Sequence, residues 1–168
     1  MDQFEKKLSA MGYTLPPPPA PGGNYLPFRR SGKTIYLAGV IAVQNGQMTH
    51  TGQVGAGQTV ETGYAAARVC ALNALAAIKL ALGSLDEMAQ ILFLGGYVNA
   101  VSGFAESPQV INGASDFLVE LFGERGQHAR AAVAVAGLPK DSTVELQLIV
   151  EALPFEKGTS VSKPVRMP

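Results

Sequence analysis

The chain has 168 residues, of which 47% are hydrophobic and 15% charged, and its 13 basic and 13 acidic side chains give a formal net charge of zero. This length suits one domain with its own hydrophobic core. The charge balance argues against a nucleic-acid-binding protein, which usually carries a basic patch. Because few charges cover an apolar chain, we expect part of its surface to be buried in an oligomer. No apolar run reaches the length of a membrane span, so no membrane partner is expected.

Two features predict a cytoplasmic protein. Residues 1–7 are rich in charge and lack the apolar segment of a secretory signal. The single cysteine, Cys70, cannot form an intrachain disulfide. Its position inside a predicted helix favours a small core residue over a reactive thiol.

The two ends of the chain differ from its centre. Residues 2–12 predict a short amphipathic helix, and the prolines of residues 16–21 predict an extended arm. We interpret the arm as a spacer that lets the helix pack back on the body, with a docking motif as the alternative. The end of the chain carries three prolines without periodicity. We therefore expect a helix and arm in 1–23, a domain in 24–152 and a tail in 153–168.

The central part alternates strand and helix patterns. Apolar and β-branched runs, separated by turn signals such as Asn45-Gly46, predict strands, and two segments with helical periodicity predict helices. The predicted strands are residues 24–29, 34–43, 47–51, 89–101, 129–136 and 143–152, and the predicted helices are residues 64–82 and 107–122. This order predicts an α+β fold in which a mixed sheet carries both helices on one face.

Arg130 is an unusual residue in its strand, because alanines on both sides leave space in front of a fixed positive charge. Alternation along the strands predicts that Arg130, Ala132 and Glu145 point away from the helices. If the last two strands pair as a hairpin, Arg130 and Glu145 lie near each other. The sequence thus favours an anion site, and the alternative is an ion pair with Glu145 or Glu151 at a subunit contact. Three copies closing around this polar face would leave clefts between them.

The remaining polar residues are less informative. Asn112 is interpreted as a helix-cap partner or as a polar group aimed at a cleft, His128 as a surface or interface residue, and His50 as uninformative. The sequence contains no zinc-spaced Cys/His cluster, phosphate loop, dinucleotide fingerprint or Gly-x-Ser-x-Gly elbow. We therefore expect no metal and no cofactor.

The segment from Ala129 to Ile149 reads Ala-Arg, six further residues, Gly-Leu-Pro-Lys-Asp and a Val-Glu-Leu strand. This segment, with the order of elements from Asn24 to Glu151, resembles the RidA/YjgF reactive-intermediate deaminase family, also called L-PSP endoribonuclease-like. The proline-rich arm and the two helix sequences resemble a divergent bacterial branch of that family. The resemblance implies a chorismate mutase-like, barrel-cored homotrimer with a cleft at each subunit interface.

The resemblance also implies roles for individual residues. Arg130 matches the residue that binds the carboxylate of a 2-imino or 2-enamino acid such as 2-aminoacrylate. Glu145 matches the acid that positions or activates the attacking water. Asn112, Tyr25 and Gly39 match residues that line the cleft. Water attack would release ammonia and a 2-keto acid, as in the 2-iminobutanoate/2-iminopropanoate deaminases.

Two positions depart from the family pattern. Ala38 stands where the family often has Ser, and Ala132 where it often has Cys, so we expect a roomier and less polar cleft. Three functions stay open. The first expectation is hydrolytic deamination of small imino acids, and the second is a non-catalytic homotrimer that binds a small carboxylate. The third is an endoribonuclease, which zero net charge and the lack of an acid–base His pair disfavour.

Overall fold

The structure, a computed structural model, describes residues 2–154. The helices are α1 (Gln3–Ala10), α2 (Val60–Leu82) and α3 (Ser107–Phe122). The strands are β1 (Phe28–Ser31), β2 (Thr34–Leu37), β3 (Val40–Ile41), β4 (Val43–Gln44), β5 (Gln47–Met48), β6 (Met88–Asn99), β7 (Ala129–Val135) and β8 (Val144–Ala152). Single 3-10 turns cover Leu85–Glu87, Gly123–Gly126 and Pro139–Asp141.

The main sheet has the order β1-β2-β8-β6-β7, and β3 also pairs with β8. β6 and β7 run parallel, whereas the other pairs in this sheet are antiparallel. β4 and β5 form a separate hairpin around Asn45 and Gly46, which both have positive φ, as the Asn-Gly pair predicts. The predicted α+β class with a mixed sheet is confirmed. The trimer stays a prediction.

β6, α3 and β7 form a parallel β-α-β unit, and β8 lies between β6 and β2. The expectation that the last two strands pair as a hairpin was therefore wrong. Two further boundaries differ. The first strand begins only at Phe28, after an irregular segment, and the predicted strand 34–43 is divided into β2, β3 and the start of β4.

The hydrophobic core lies between the sheet and the two long helices. Gly113 lets α3 approach α2, because a Cβ at this position would overlap the backbone of Tyr64. Cys70 is fully buried in α2, and its Sγ lies 3.4 Å from the Val144 carbonyl oxygen, which confirms its assignment to the core. α2 is long and apolar enough to cross a membrane by length and composition alone, but 56% of its most apolar 18-residue segment is buried inside the protein, which is typical of a core helix.

The N-terminal helix packs back on the body. The backbone N–H groups of Gln3 and Phe4 donate to the Asp86 carboxylate at 2.8 and 3.0 Å. The Phe4 ring also packs edge-on against Phe122, with centroids 4.7 Å apart. The arm thus returns from α1 along the surface to β1, as the spacer interpretation expected. The proposed division of the chain stays a prediction, and residues 155–168 of the predicted tail lie outside the described residues.

Candidate functional site

Arg130 is held by α3. Its Nη1 donates to Asn112 Oδ1 at 2.8 Å and to Ser115 Oγ at 3.0 Å, and its Nη2 donates to the Pro108 carbonyl oxygen at 3.4 Å. These acceptors are all neutral. Because a guanidinium carries five N–H donors, Nε–H and one Nη2–H keep no partner among residues 2–154. The Arg130 residue as a whole is only half-buried, so part of it stays open to solvent.

The face assigned to Arg130 from the sequence was wrong. In the parallel register Arg130 pairs with Leu94, which is fully buried beneath the helices, so Arg130 and Ala132 share the helix-facing side of the sheet. Val133 lies on the opposite side and is 46% exposed. Both faces of this strand consist of small or apolar residues apart from Arg130, so alternation defined two faces without showing which one meets the helices.

A second group of hydrogen bonds lies behind Arg130. Ser115 Oγ is 3.0 Å from His128 Nε2, and His128 Nδ1 is 2.7 Å from the Gly126 carbonyl oxygen. Burial lowers the pKa of His128, and the Arg130 charge lowers it further, although the bond to Gly126 opposes both effects. His128 was expected to be only a surface or interface residue, and Ser115 was not singled out. No sequence motif links Ser115 and His128 to Arg130, so the sequence did not indicate this group of hydrogen bonds.

Glu145 lies on the other face of the sheet, where it pairs with Ile41 and Tyr97. It has no hydrogen-bond or ion-pair partner within residues 2–154, and desolvation by burial raises the pKa of its carboxyl group. A Cβ at Gly39 would overlap Glu145 Oε1, so the carboxylate occupies space that is open only because residue 39 is a glycine. A half-buried carboxylate without a partner is a frequent sign of a functional group.

Glu145 opens into a cavity of about 710 Å³ under the N-terminal arm. The cavity is lined by the prolines and glycine of the arm, the Asn45-Gly46 turn and the Pro139-Lys140 turn. Asn73 lies at its wall and donates to the Ile41 and Val43 carbonyl oxygens, both at 2.9 Å. The arm is therefore a wall of the cavity as well as a spacer. No sequence pattern indicated that the arm, Asn73 and Lys140 line a cavity.

The predicted site residues fall into two groups. Arg130 and Asn112 are in contact, with Ala132 on the same face of the sheet. The other group is Tyr25, Ala38, Gly39 and Glu145, which line the cavity or the small pocket beside it. Tyr25 is 51% exposed and lies before β1 rather than in a strand.

The two groups are separated within one chain. Arg130 and Glu145 lie on opposite faces of the sheet, and β6 lies between their strands, which places β7 and β8 about 10 Å apart. The expectation that the two side chains face the same way and lie close was wrong. Within residues 2–154 Arg130 forms no ion pair with Glu145 or Glu151, and Glu151 accepts instead from Gln90 Nε2 at 2.7 Å. The alternative ion pair at a subunit contact stays a prediction. Residues 2–154 hold no cluster of three side chains suited to a metal ion.

Comparison with known proteins identifies related chains. A family model described as "YjgF/chorismate_mutase-like, putative endoribonuclease" matches residues 5–152. Protein TCP17 of Trypanosoma cruzi is 41% identical over 145 residues, which cover 86% of this chain and 91% of that protein. The crystal structure of the protein Atu1372 from Agrobacterium tumefaciens is 41% identical, with a TM-score of 0.84, and the match covers 89% of this chain and 92% of that chain.

Two more distant structures share the fold. RidA from an Antarctic Psychrobacter bacterium is 26% identical with a TM-score of 0.57, covering 83% of this chain and 96% of that chain. TdcF of E. coli, whose crystal structure contains bound serine, is 22% identical with a TM-score of 0.59, covering 84% of this chain and 97% of that chain. The likeness to TdcF concerns the fold alone.

Proposed function

Because the chain belongs to the RidA/YjgF family, as its match over residues 5–152 shows, we propose that it hydrolyses small 2-imino or 2-enamino acids. The products are a 2-keto acid and ammonia, and the reaction takes place in clefts between copies of the chain. The serine bound in TdcF supports a small amino-acid-like ligand, because serine carries the same carboxylate next to a nitrogen-bearing carbon.

The observation that carries this proposal is the separation of two complementary half-sites. We define the Arg130 half-site as Arg130 with Asn112, and the Glu145 half-site as Glu145 with Gly39 and Tyr25. A ligand of three or four carbons does not span both, because the two lie on opposite faces and two strands apart. The two half-sites come together when a second copy places its Glu145 half-site against the Arg130 half-site of the first copy.

The open face of the sheet supports such an assembly. Tyr36 and Val133 are each 46% exposed there, and Phe93, Tyr97 and Ile149 are only half-buried. Large apolar and aromatic side chains on one exposed surface are typical of protein–protein contacts. The low share of charged residues in the whole chain agrees with this.

In the proposed reaction, the free side of the Arg130 guanidinium binds the substrate carboxylate through two parallel N–H···O bonds. This orients the iminium carbon towards a water beside Glu145 of the neighbouring copy. Glu145, whose carboxyl pKa is raised by burial, takes a proton from the water as its oxygen attacks that carbon. Glu145 then passes this proton to the nitrogen of the tetrahedral carbinolamine. The C–N bond breaks, the nitrogen leaves as ammonia, and the hydroxyl group releases its proton to solvent as the C=O bond forms. One water is consumed, and no electrons are transferred.

Mixing two inactive variants tests both the reaction and its location. Arg130→Ala and Glu145→Gln are each expected to abolish most ammonia release from 2-aminoacrylate generated in a coupled assay. After the two variants are unfolded and refolded together, some interfaces contain Arg130 from one copy and Glu145 from the other, and part of the activity returns. Lys7→Ala, which removes an exposed cation on α1, is the control and keeps full activity. A wild type that releases no ammonia would refute the deaminase. Two fully active single variants would refute the roles of Arg130 and Glu145, and a mixture without recovery would refute the shared cleft.

The second candidate is a homotrimer that binds a small carboxylate without turning it over. It is favoured by Ala38 and Ala132, because these methyl groups provide no hydroxyl or thiol to the proposed cleft. In this case pyruvate raises the melting temperature of the wild type but not of Arg130→Ala, and no ammonia is released. Endoribonuclease activity, which the family description names, is disfavoured by the zero net charge. RNA that stays intact with nuclease-free protein would exclude it.

A further inference from the structure

We propose that Ser115 and His128 are positioning residues, which hold the Arg130 guanidinium so that its Nε–Nη2 side faces an incoming carboxylate. This proposal rests on the proposed function only in treating Arg130 as an anion anchor. Neither residue touches the ligand in this scheme. Both act through Arg130, by a chain of three hydrogen bonds that begins at the Gly126 carbonyl.

The direction of each hydrogen bond follows from the chemistry of the groups. A carbonyl oxygen only accepts, so His128 Nδ1, 2.7 Å from Gly126 O, must carry a proton. In the neutral ring Nε2 is then an acceptor, so the Ser115 hydroxyl, 3.0 Å away, donates its single proton to it. With that proton committed, Ser115 Oγ offers lone pairs to Arg130 Nη1 at 3.0 Å. Every donor in the chain therefore has an acceptor when His128 is neutral.

Two N–H groups of Arg130 are left for the ligand. The two Nη1 donors of Arg130 are directed at Ser115 and Asn112, and Nη2 gives one donor to the Pro108 carbonyl. One N–H on each of Nε and Nη2 stays available. In the proposed arrangement the free Nη2–H is the one beside Nε, so these two nitrogens form one side of the guanidinium and match the two oxygens of a carboxylate. A guanidinium already held in this orientation loses less freedom when the anion binds.

Substitutions at His128 separate its hydrogen bonds. Gln places a side-chain amide near the position of Nε2 and can accept from Ser115. Asn reaches only the position of Nδ1, so it keeps the contact with Gly126 and loses the contact with Ser115. The scheme therefore expects His128→Gln to preserve the orientation of Arg130, and both His128→Asn and Ser115→Ala to loosen it.

The first test measures pyruvate affinity by calorimetry and the KM and kcat for 2-aminoacrylate. We expect Ser115→Ala to weaken pyruvate binding and raise KM about tenfold, with a smaller change in kcat, because one hydrogen bond to a charged group is lost. We expect His128→Asn to change affinity and KM in the same direction, because Ser115 then loses the acceptor that fixes its hydroxyl. His128→Gln stays within about twofold of the wild type. The controls, Ser102→Ala on an exposed turn and His50→Gln at the second histidine, have no effect. Unchanged affinity in both Ser115→Ala and His128→Asn overturns the proposal.

The second test needs no ligand and no activity. The His128 ring signals in nitrogen-15 NMR are those that remain in His50→Gln, which lacks the second histidine. These signals should show the neutral tautomer protonated at Nδ1. The Arg130 guanidinium signals, assigned with Arg130→Lys, should show faster rotation about the Cζ–Nη1 bond in Ser115→Ala than in the wild type. A ring protonated at Nε2 alone, or equal rotation rates, overturns the proposal. If the wild type neither binds pyruvate nor releases ammonia, the proposed function fails, and these NMR signals alone decide the roles of Ser115 and His128.

Discussion

The two half-sites stabilise their charges in opposite ways. The Arg130 guanidinium is surrounded by neutral oxygens of α3 that fix its orientation, whereas the Glu145 carboxylate has no polar partner in residues 2–154 and is held only by the space that Gly39 leaves. The first arrangement is suited to binding, because it fixes a donor pair. The second is suited to proton transfer, because desolvation makes the carboxylate a stronger base. In the proposed reaction, one chain therefore carries the binding group and the proton-transfer group at separate places.

The largest expected effect comes from displacing Glu145 without changing it. In Gly39→Ala the new Cβ overlaps Glu145 Oε1 and must move the carboxylate. Since a shift of about 1 Å can reduce a rate about a hundredfold, we expect a loss of that order in kcat with pyruvate affinity nearly unchanged. Gly57→Ala is the matched control, because a Cβ at Gly57 meets no atom within 4 Å. Equal kcat values in the two variants would show that the place of Glu145 beside Gly39 is not needed for turnover.

The next effect concerns the shape of the Arg130 group. Arg130→Lys keeps the charge but loses the planar pair of donors. We expect pyruvate affinity to fall about tenfold or more, because a hydrogen bond to a charged group contributes about 1.5–3 kcal/mol. Calorimetry at constant ionic strength measures this, with Lys7→Ala as a control for nonspecific charge effects. Affinity equal to that of the wild type would mean that Arg130 acts only as a point charge.

The Glu145 half-site should lower the stability of the protein at neutral pH. Burial raises its carboxyl pKa above the ordinary value of 4.5. At a pH above the raised pKa, the folded state therefore carries an ionised group that lowers its stability. This loss of stability disappears as the pH falls below 4.5, because the carboxyl group is then protonated in both states. We therefore expect Glu145→Gln to have a higher melting temperature than the wild type at pH 7, and the difference to shrink towards pH 4. A lower melting temperature at pH 7 would indicate a stabilising partner for the carboxylate in the assembled protein.

The smallest expected effect is a loss of stability in mild acid at the Arg130 half-site. The folded-state pKa of His128 lies below the ordinary 6.5, so the unfolded state binds more protons between the two values, and stability falls as the pH drops through that window. His128→Gln should reduce the loss of melting temperature between pH 7.5 and pH 5. Burial also lowers the pKa of His50, so His50→Gln measures that separate contribution. An identical pH dependence in wild type and His128→Gln would contradict a depressed pKa at His128.

Local patterns were enough to predict the helices and most strands. The apolar stripe of α3 and the Ala-rich α2 have periodicities that only a helix satisfies, and Asn45-Gly46 has the positive φ values that the tight turn requires. The residues of both half-sites were also singled out, although mainly through the family resemblance. One available signal was missed. A strand, a helix and a strand in succession favour a parallel crossover, which indicates that β7 pairs with β6 rather than with β8.

By itself, then, the sequence determined the element order and the α+β class, and it singled out Arg130 and Glu145 as candidate site residues. Only the tertiary structure decided which face of the sheet each occupies. In β7 the residues on both faces are small or apolar apart from Arg130, so burial preference does not distinguish the two faces. The pairing of Arg130 with Leu94 and its hydrogen bonds to α3 place it on the helix-facing side. The contact of Arg130 with Ser115, which in turn contacts His128, has the same origin. It depends on how α3 lies across β7, and no local pattern specifies the packing of two elements.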